Sequence, residues 1–177
     1  FFSKPYYLLE IWNGGMSFHG GLIGIIFAIY FFSLKNKIHF FYLSDLVSLV
    51  APIGLFFGRI ANFINNELYG RITDFPFAMI YPIIDNNPRH PSQLYEAFFE
   101  GIVIITILFI YLKRKPKDYL IGNISALFLI FYSIFRFLIE YLREPDHHLG
   151  LIFDYFSMGQ LLCIPLFVAG LAIFFRK

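Results

Sequence analysis

One cysteine, little charge and no basic stripe are what this 177-residue chain makes do with. Cys163 has no second thiol to pair with, so no disulfide forms within the chain. In the run Leu161-Leu162-Cys163-Ile164 a thiol in apolar surroundings reads as inert packing. Charged residues make up 15%, the formal net charge is only +2, and Lys and Arg sit in short connecting segments. No basic face is interleaved with aromatics, so nucleic acid is disfavoured as a partner. The start, Phe1-Phe2-Ser3-Lys4-Pro5, has neither an initiator Met nor a basic segment ahead of an apolar core. No signal peptide is expected there, and a trimmed or partial chain is.

What is present is apolar surface. The composition is 58% hydrophobic and 21% aromatic, with mean hydropathy +0.66. Soluble domains run about 45–50% apolar, and here the excess comes in long blocks, so an all-α polytopic membrane bundle is expected. A helix crossing roughly 30 Å of hydrocarbon needs about 20 apolar residues. Five segments qualify: roughly Met16–Leu34, Leu43–Asn62, Leu94–Leu112, Leu120–Tyr141 and Tyr155–Phe175. No repeat or low-complexity linker divides them, which predicts one membrane-embedded domain over 1–177.

The connecting charges set an orientation. Lys35 and Lys37, then Lys113, Arg114, Lys115 and Lys117, then Arg176 and Lys177 fall on one side. Glu10, Asp74, Asp85, Glu144, Asp146 and Asp154 fall on the other, with fewer bases. The positive-inside rule makes the Lys-rich side cytoplasmic. The longest connection, about 63–91, then lies outside; its length and its Asp85-Asn86-Asn87-Pro88 turn signal predict a small ordered cap.

Arg59 stands in an otherwise apolar stretch, and a charge in hydrocarbon costs roughly 2.5–3.5 kcal/mol on insertion scales. With the predicted orientation, His19 opens the first span, Arg59 and Asn62 close the second, and Tyr132, Arg136 and Glu140 occupy the outer half of the fourth. Arg59 and Asn62 are spaced i, i+3, and Tyr132, Arg136 and Glu140 step by four along one stripe. Glu67 follows Arg59 by two turns if the helix continues, or folds back if it does not. A plainer reading exists for each: Arg136 and Glu140 neutralise each other, His19 is a satisfied interfacial ring, Arg59 snorkels to the headgroups, and Glu96 and Glu100 are interfacial or structural. That all should fall at one depth argues instead for a shared polar cavity.

Two arginines at headgroup depth suit a phosphate, since guanidinium stays charged and grips phosphate oxygens in a planar fork. They also stabilise charge developing on a departing phosphate, most of all where water is scarce. The attacking group is then best supplied by a second substrate, with His19 or a carboxylate taking its proton.

These residues resemble the bacterial prolipoprotein diacylglyceryl transferases. The family signature Gly-Arg-x-(Gly or Ala)-Asn-Phe-x-Asn-x-Glu-x-x-Gly is matched at every fixed position from Gly58 to Gly70. Gly14 to Gly24 resembles the family's histidine motif, Arg89-His90-Pro91-Ser92-Gln93-Leu94-Tyr95-Glu96 a second block, and Tyr132-x-x-x-Arg136-x-x-x-Glu140 with Arg143-Glu144-Pro145-Asp146 a third. The resemblance implies transfer of the diacylglyceryl group from phosphatidylglycerol to the lipobox cysteine thiol of a preprolipoprotein signal peptide. A thioether forms and glycerol 1-phosphate is released. It implies Arg59 and Arg136 on the lipid phosphate, His19 for thiol activation, and Asn62, Glu67, Gly70, Tyr132 and Glu140 in or beside the site. It implies no metal or organic cofactor, and a multi-pass protein of the bacterial inner membrane whose site faces outward. The family has seven spans; the two not seen here would precede Phe1 and carry an N-terminal tyrosine associated with the site.

A phospholipid transporter or flippase is the alternative, with the arginines as a lipid way station. It calls for polar groups at mid-membrane and on the inner half, where segments such as Ile104–Tyr111 and Leu166–Phe174 read as apolar. An assembly protein whose outer cap binds partners leaves Arg59 and Arg136 without a role.

Overall fold

The structure, a computed structural model, describes residues 18–114, 120–144 and 156–176, and for Phe18 and His19 the backbone alone. Within the described residues each of the five apolar segments contains a helix. The helices are α1 (Phe18–Asn36), α2 (Phe40–Ile64), α3 (Ser92–Arg114), α4 (Asn123–Ile139) and α5 (Met158–Phe174). They fall into two compact units that part within the first turn of α2, between Leu43 and Ser44.

The first unit contains α1, whose Ile25, Phe27, Phe31 and Leu34 are all exposed. Its end is a reversal with Lys37 in the left-handed region (φ 55°). There the Ile38 amide donates to the Ser33 carbonyl at 3.0 Å, which satisfies carbonyls the last turn would strand.

The second unit carries everything else. At 25 and 23 residues, α2 and α3 are long and apolar enough to cross a membrane, about 37 and 35 Å at ~1.5 Å per residue. α4 and α5 are apolar but shorter, at 17 residues each. The unit is apolar outside, with Ile53, Phe57, Phe109 and Val168 exposed, and polar within, where Gln93, Glu96, Glu100 and Gln160 are buried. That inversion is what a hydrocarbon solvent selects, because polar groups are cheapest where they meet one another. Ile104, Leu108, Ile124 and Tyr132 form the apolar core of the unit. Gly170 lets α5 approach α4 closely: a Cβ there would lie 2.8 Å from Ile130 and 3.0 Å from the Ala126 carbonyl oxygen.

α4 has no capping side chain of its own. Gly122, at φ 106°, turns the chain into it, and Asp45 of α2 caps it from 77 residues away. The Asp45 carboxylate accepts the Gly122 amide at 2.6 Å, the Ser125 amide at 2.8 Å and the Ser125 hydroxyl at 2.7 Å. Ser44 bonds the same Ser125 hydroxyl, and Asn123 donates to the Tyr111 hydroxyl. The Asp45 carboxylate and the Ser125 amide and hydroxyl are thus engaged in starting a helix.

α3 changes pitch on its way: Ser92–Glu96 is α-helical, Ala97–Val103 is π-helical, and Ile104–Arg114 returns to α. Gly101, within the wide turn, sits where a Cβ would come 2.7 Å from Phe56 Cβ of α2. The connection between α2 and α3 forms a two-residue hairpin, β1 (Met79–Ile80) against β2 (Pro88–Arg89), with Met79 opposite Arg89. Isolated bridges join Ile72 to Arg89 and Gly70 to Arg143.

Candidate active site

Arg59 and Arg136 come from different helices and meet on one carboxylate. Arg59 Nε lies 2.8 Å from Glu96 Oε2, and Arg136 Nη1 donates to Glu96 Oε1. Glu100, one turn along the π-helical stretch of α3, reaches Arg59 Nη2 at 3.4 Å through Oε2. Arg136 Nη2 lies 2.8 Å from Glu140 Oε2, the i, i+4 partner that its spacing predicts. Arg143 Nη1 approaches the same oxygen at 4.0 Å, and the Ser157 hydroxyl donates to Glu140 Oε1 at 2.9 Å.

The electrostatics follow from burial. Glu96 and Glu100 are wholly buried, while the Arg59 and Arg136 side chains keep 16% and 11% of their exposure. Coulomb attraction in such surroundings is strong, and removing either sign would leave a stranded charge. Three arginines (59, 136 and 143) face three glutamates (96, 100 and 140), so the cluster is neutral when every group is ionised. It is not evenly satisfied. Glu96 Oε2 and Glu140 Oε2 lack an aligned hydrogen bond, but each lies 2.8 Å from a guanidinium nitrogen. Glu100 Oε1 is buried with neither a hydrogen-bond donor nor an ion-pair contact among the described residues.

A second polar set continues from the end of α2. The helix stops at Ile64 with Asn66 in the left-handed region (φ 57°), and the Glu67 amide folds back to the Asn62 carbonyl at 2.9 Å. Of the two courses open to Glu67, the chain takes the folded-back one, and Asn62 Nδ2 donates to Glu67 Oε2 at 3.0 Å. Buried Gln93 Nε2 holds the Glu67 carbonyl at 2.6 Å, and Tyr81 donates to Gln93 Oε1. Gly70 is pinned beyond this: its amide donates to the His90 carbonyl, and a Cβ would lie 2.4 Å from that oxygen and 2.7 Å from the Leu142 oxygen. Arg89 closes the loop, bonding Asp85, Glu144 and the Gly70 carbonyl, with its guanidinium 4.9 Å from the Tyr69 ring centre. The Arg89 guanidinium holds the Asp85 carboxyl well below its ordinary range, at about 2. Burial lowers the His90 imidazole.

The structure thus brings Arg59, Arg136 and Glu140 into one cluster, with Asn62 in the last turn of α2 and Glu67 and Gly70 in the loop that follows it. Tyr132 is buried below, its ring stacked 5.9 Å from Phe128. His19 lies in the first turn of α1, in the other unit, and its side chain is outside the described residues, as are residues 14–17 of its motif and Pro145 and Asp146. Glu96 and Glu100, for which the plainer reading is an interfacial or structural place, are buried against the arginines. Arg143, Ser157 and Gln93 were not read as site residues at all. The available signal was the Arg89–Glu96 block, which put a glutamine and a glutamate three residues apart at the head of an apolar helix. Cys163 lines an apolar groove of about 270 Å³ between α4 and α5 with Ser133, Phe137 and Phe167.

The profile of the family described as prolipoprotein diacylglyceryl transferase matches residues 1–176. A protein of Rickettsia bellii named phosphatidylglycerol–prolipoprotein diacylglyceryl transferase is 51% identical over 176 residues, covering 99% of this chain and 67% of its own length. Proteins of the same name from Aeromonas salmonicida and Rickettsia felis are 52% and 55% identical, over 96% of this chain in each case and 61% and 66% of their own lengths. The chain therefore spans roughly two thirds of the relatives it matches.

Proposed function

The chain belongs to the prolipoprotein diacylglyceryl transferase family, and from that premise we propose that the protein moves the diacylglyceryl group of phosphatidylglycerol onto a preprolipoprotein cysteine. The observation that carries the reading is the meeting of Arg59 and Arg136 on Glu96. Two guanidiniums already hold one oxyanion between them, and a phosphate presents the same acceptor geometry with more oxygens.

In this reading the thiol sulfur attacks the glyceryl carbon bonded to the phosphate oxygen. The new C–S bond forms as that C–O bond breaks, and the pair of electrons leaves on the phosphate of glycerol 1-phosphate. Arg59 and Arg136 stabilise the charge that gathers there, at little reorganisation cost because the cluster fixes them beforehand. His19 takes the thiol proton. Asn62, Glu67 and Gly70 shape the loop beside the cluster, and Glu140 and Tyr132 orient Arg136. The protein crosses the bacterial inner membrane five times within this chain, with residues 63–91 capping the outer face and the site opening toward them. No metal or organic cofactor enters the step.

The test is a transfer assay on the full-length protein with labelled phosphatidylglycerol and a signal peptide bearing the lipobox cysteine. Wild type labels the peptide, and Arg136→Lys, which inserts but loses the planar fork, falls by 100-fold or more. Unchanged turnover by Arg136→Lys removes Arg136 from the chemistry, and no transfer by wild type removes the proposal.

A further inference from the structure

We propose that Glu100 takes up one proton when the lipid binds and donates it, through its carboxylic O–H, to a phosphate oxygen held by Arg59 and Arg136. The inference deepens the functional reading above and rests on it. Its first ground is charge. With all groups ionised, Arg59, Arg136 and Arg143 balance Glu96, Glu100 and Glu140. A phosphodiester carries one negative charge, so its arrival would leave the buried cluster at minus one. An uncompensated charge in water-poor surroundings is costly enough that a titratable group changes state instead.

The second ground singles out the group. The arginines are already protonated. Tyr132 on α4 and Cys163 on α5, which also face Glu100 electrostatically, are neutral acids with no proton to accept. Among the described side chains of the cluster, that leaves the three carboxylates. Glu96 meets a guanidinium on each oxygen. Glu140 is held by Arg136, by Arg143 and by the Ser157 hydroxyl. Glu100 has one contact, at 3.4 Å, and its wholly buried Oε1 has no donor among the described residues. An ionised oxygen in that position lacks a partner. A protonated one becomes a donor, and the incoming phosphate is the acceptor it needs. The step balances: one proton leaves water, one anion enters, and the cluster with its ligand is neutral again.

The experiment measures binding of dihexanoyl phosphatidylglycerol to the detergent-purified full-length protein between pH 6 and pH 9. The phosphodiester does not titrate in this range. Linkage makes wild-type affinity fall with rising pH, approaching tenfold per pH unit above the midpoint. Glu100→Gln, permanently neutral, binds at least as tightly as wild type at pH 6 and stays flat to pH 9. Glu100→Asp keeps a titrating carboxyl and with it the slope. Calorimetry of wild type in two buffers of different ionisation enthalpy, at the pH where affinity falls most steeply and Glu100 is ionised before the lipid arrives, counts about one proton taken up per lipid. Superimposable profiles for wild type and Glu100→Gln, a tenfold loss of binding by folded Glu100→Gln at pH 6, or a proton count of zero each overturn the assignment. Absence of wild-type binding at every pH strikes the functional reading instead.

Discussion

Replacing Glu96 with alanine leaves two guanidiniums facing each other across an empty place. Glu96 is wholly buried and touches Arg59 and Arg136 at once. Deleting one partner of a buried ion pair costs about 3–5 kcal/mol, because the remaining charge is stranded. Here each arginine keeps a second carboxylate, Glu100 for Arg59 and Glu140 for Arg136, and 16% and 11% exposure respectively, so the lower end, about 3 kcal/mol, is expected. Glu96→Gln keeps the shape and one acceptor and should cost about 1.5–3 kcal/mol, in keeping with charged hydrogen bonds generally. The assay is equilibrium unfolding of the full-length protein in mixed detergent and dodecyl sulfate. A cycle with Arg136→Met should show the two losses falling short of additive by about 1 kcal/mol or more. A loss under about 1 kcal/mol for Glu96→Ala, or strict additivity, would refute the claim that this carboxylate joins the two helices.

Other outcomes follow from features away from the cluster. Asp45→Ala strands the Gly122 and Ser125 amides, costs about 2–4 kcal/mol from the lost cap and the unmet donors, and removes hydrogen-exchange protection at those amides; intact protection there contradicts the cap. Gly70→Ala sets a methyl into space bounded by His90 and Leu142 and costs about 1–3 kcal/mol by overpacking, seen as faster proteolysis between residues 71 and 89. Asp85 is depressed from 3.8 to about 2 by Arg89, so its hold on Arg89 is complete above pH 4 and lost as pH falls toward 2. Pepsin should therefore discriminate wild type from Arg89→Met in the 73–88 segment more sharply at pH 4 than at pH 2, where Asp85 is half protonated and the Gly70 carbonyl still holds Arg89; equal cleavage at pH 4 would deny the clamp.

The helices were legible because long apolar runs announce themselves, two of them long enough to cross a membrane, and the Arg136–Glu140 pair because i, i+4 spacing suffices to predict it. The place of Glu96 and Glu100 was not. In a bundle whose exterior is apolar, hydrophobicity no longer reports what is inside, and an acidic residue near a helix start reads equally as interfacial. The π-helical turn was hidden for a related reason: Ser92, Glu96 and Glu100 recur every four residues along α3, a spacing an unbroken α-helix would give as well. The cap that Asp45 supplies to α4 joins residues 77 positions apart, and nothing local to Asn123 shows it. The reversal at Asn66 was half legible, since asparagine tolerates left-handed backbone but does not demand it.

Ser157 is the first residue to fix where α5 begins, and its one hydroxyl is shared. It accepts the Gln160 amide in a reciprocal cap while donating to Glu140 Oε1. The last helix is therefore anchored to the same carboxylate that steadies Arg136. The arginine of α4 and the first turn of α5 thus lean on a single carboxyl group, one oxygen for each.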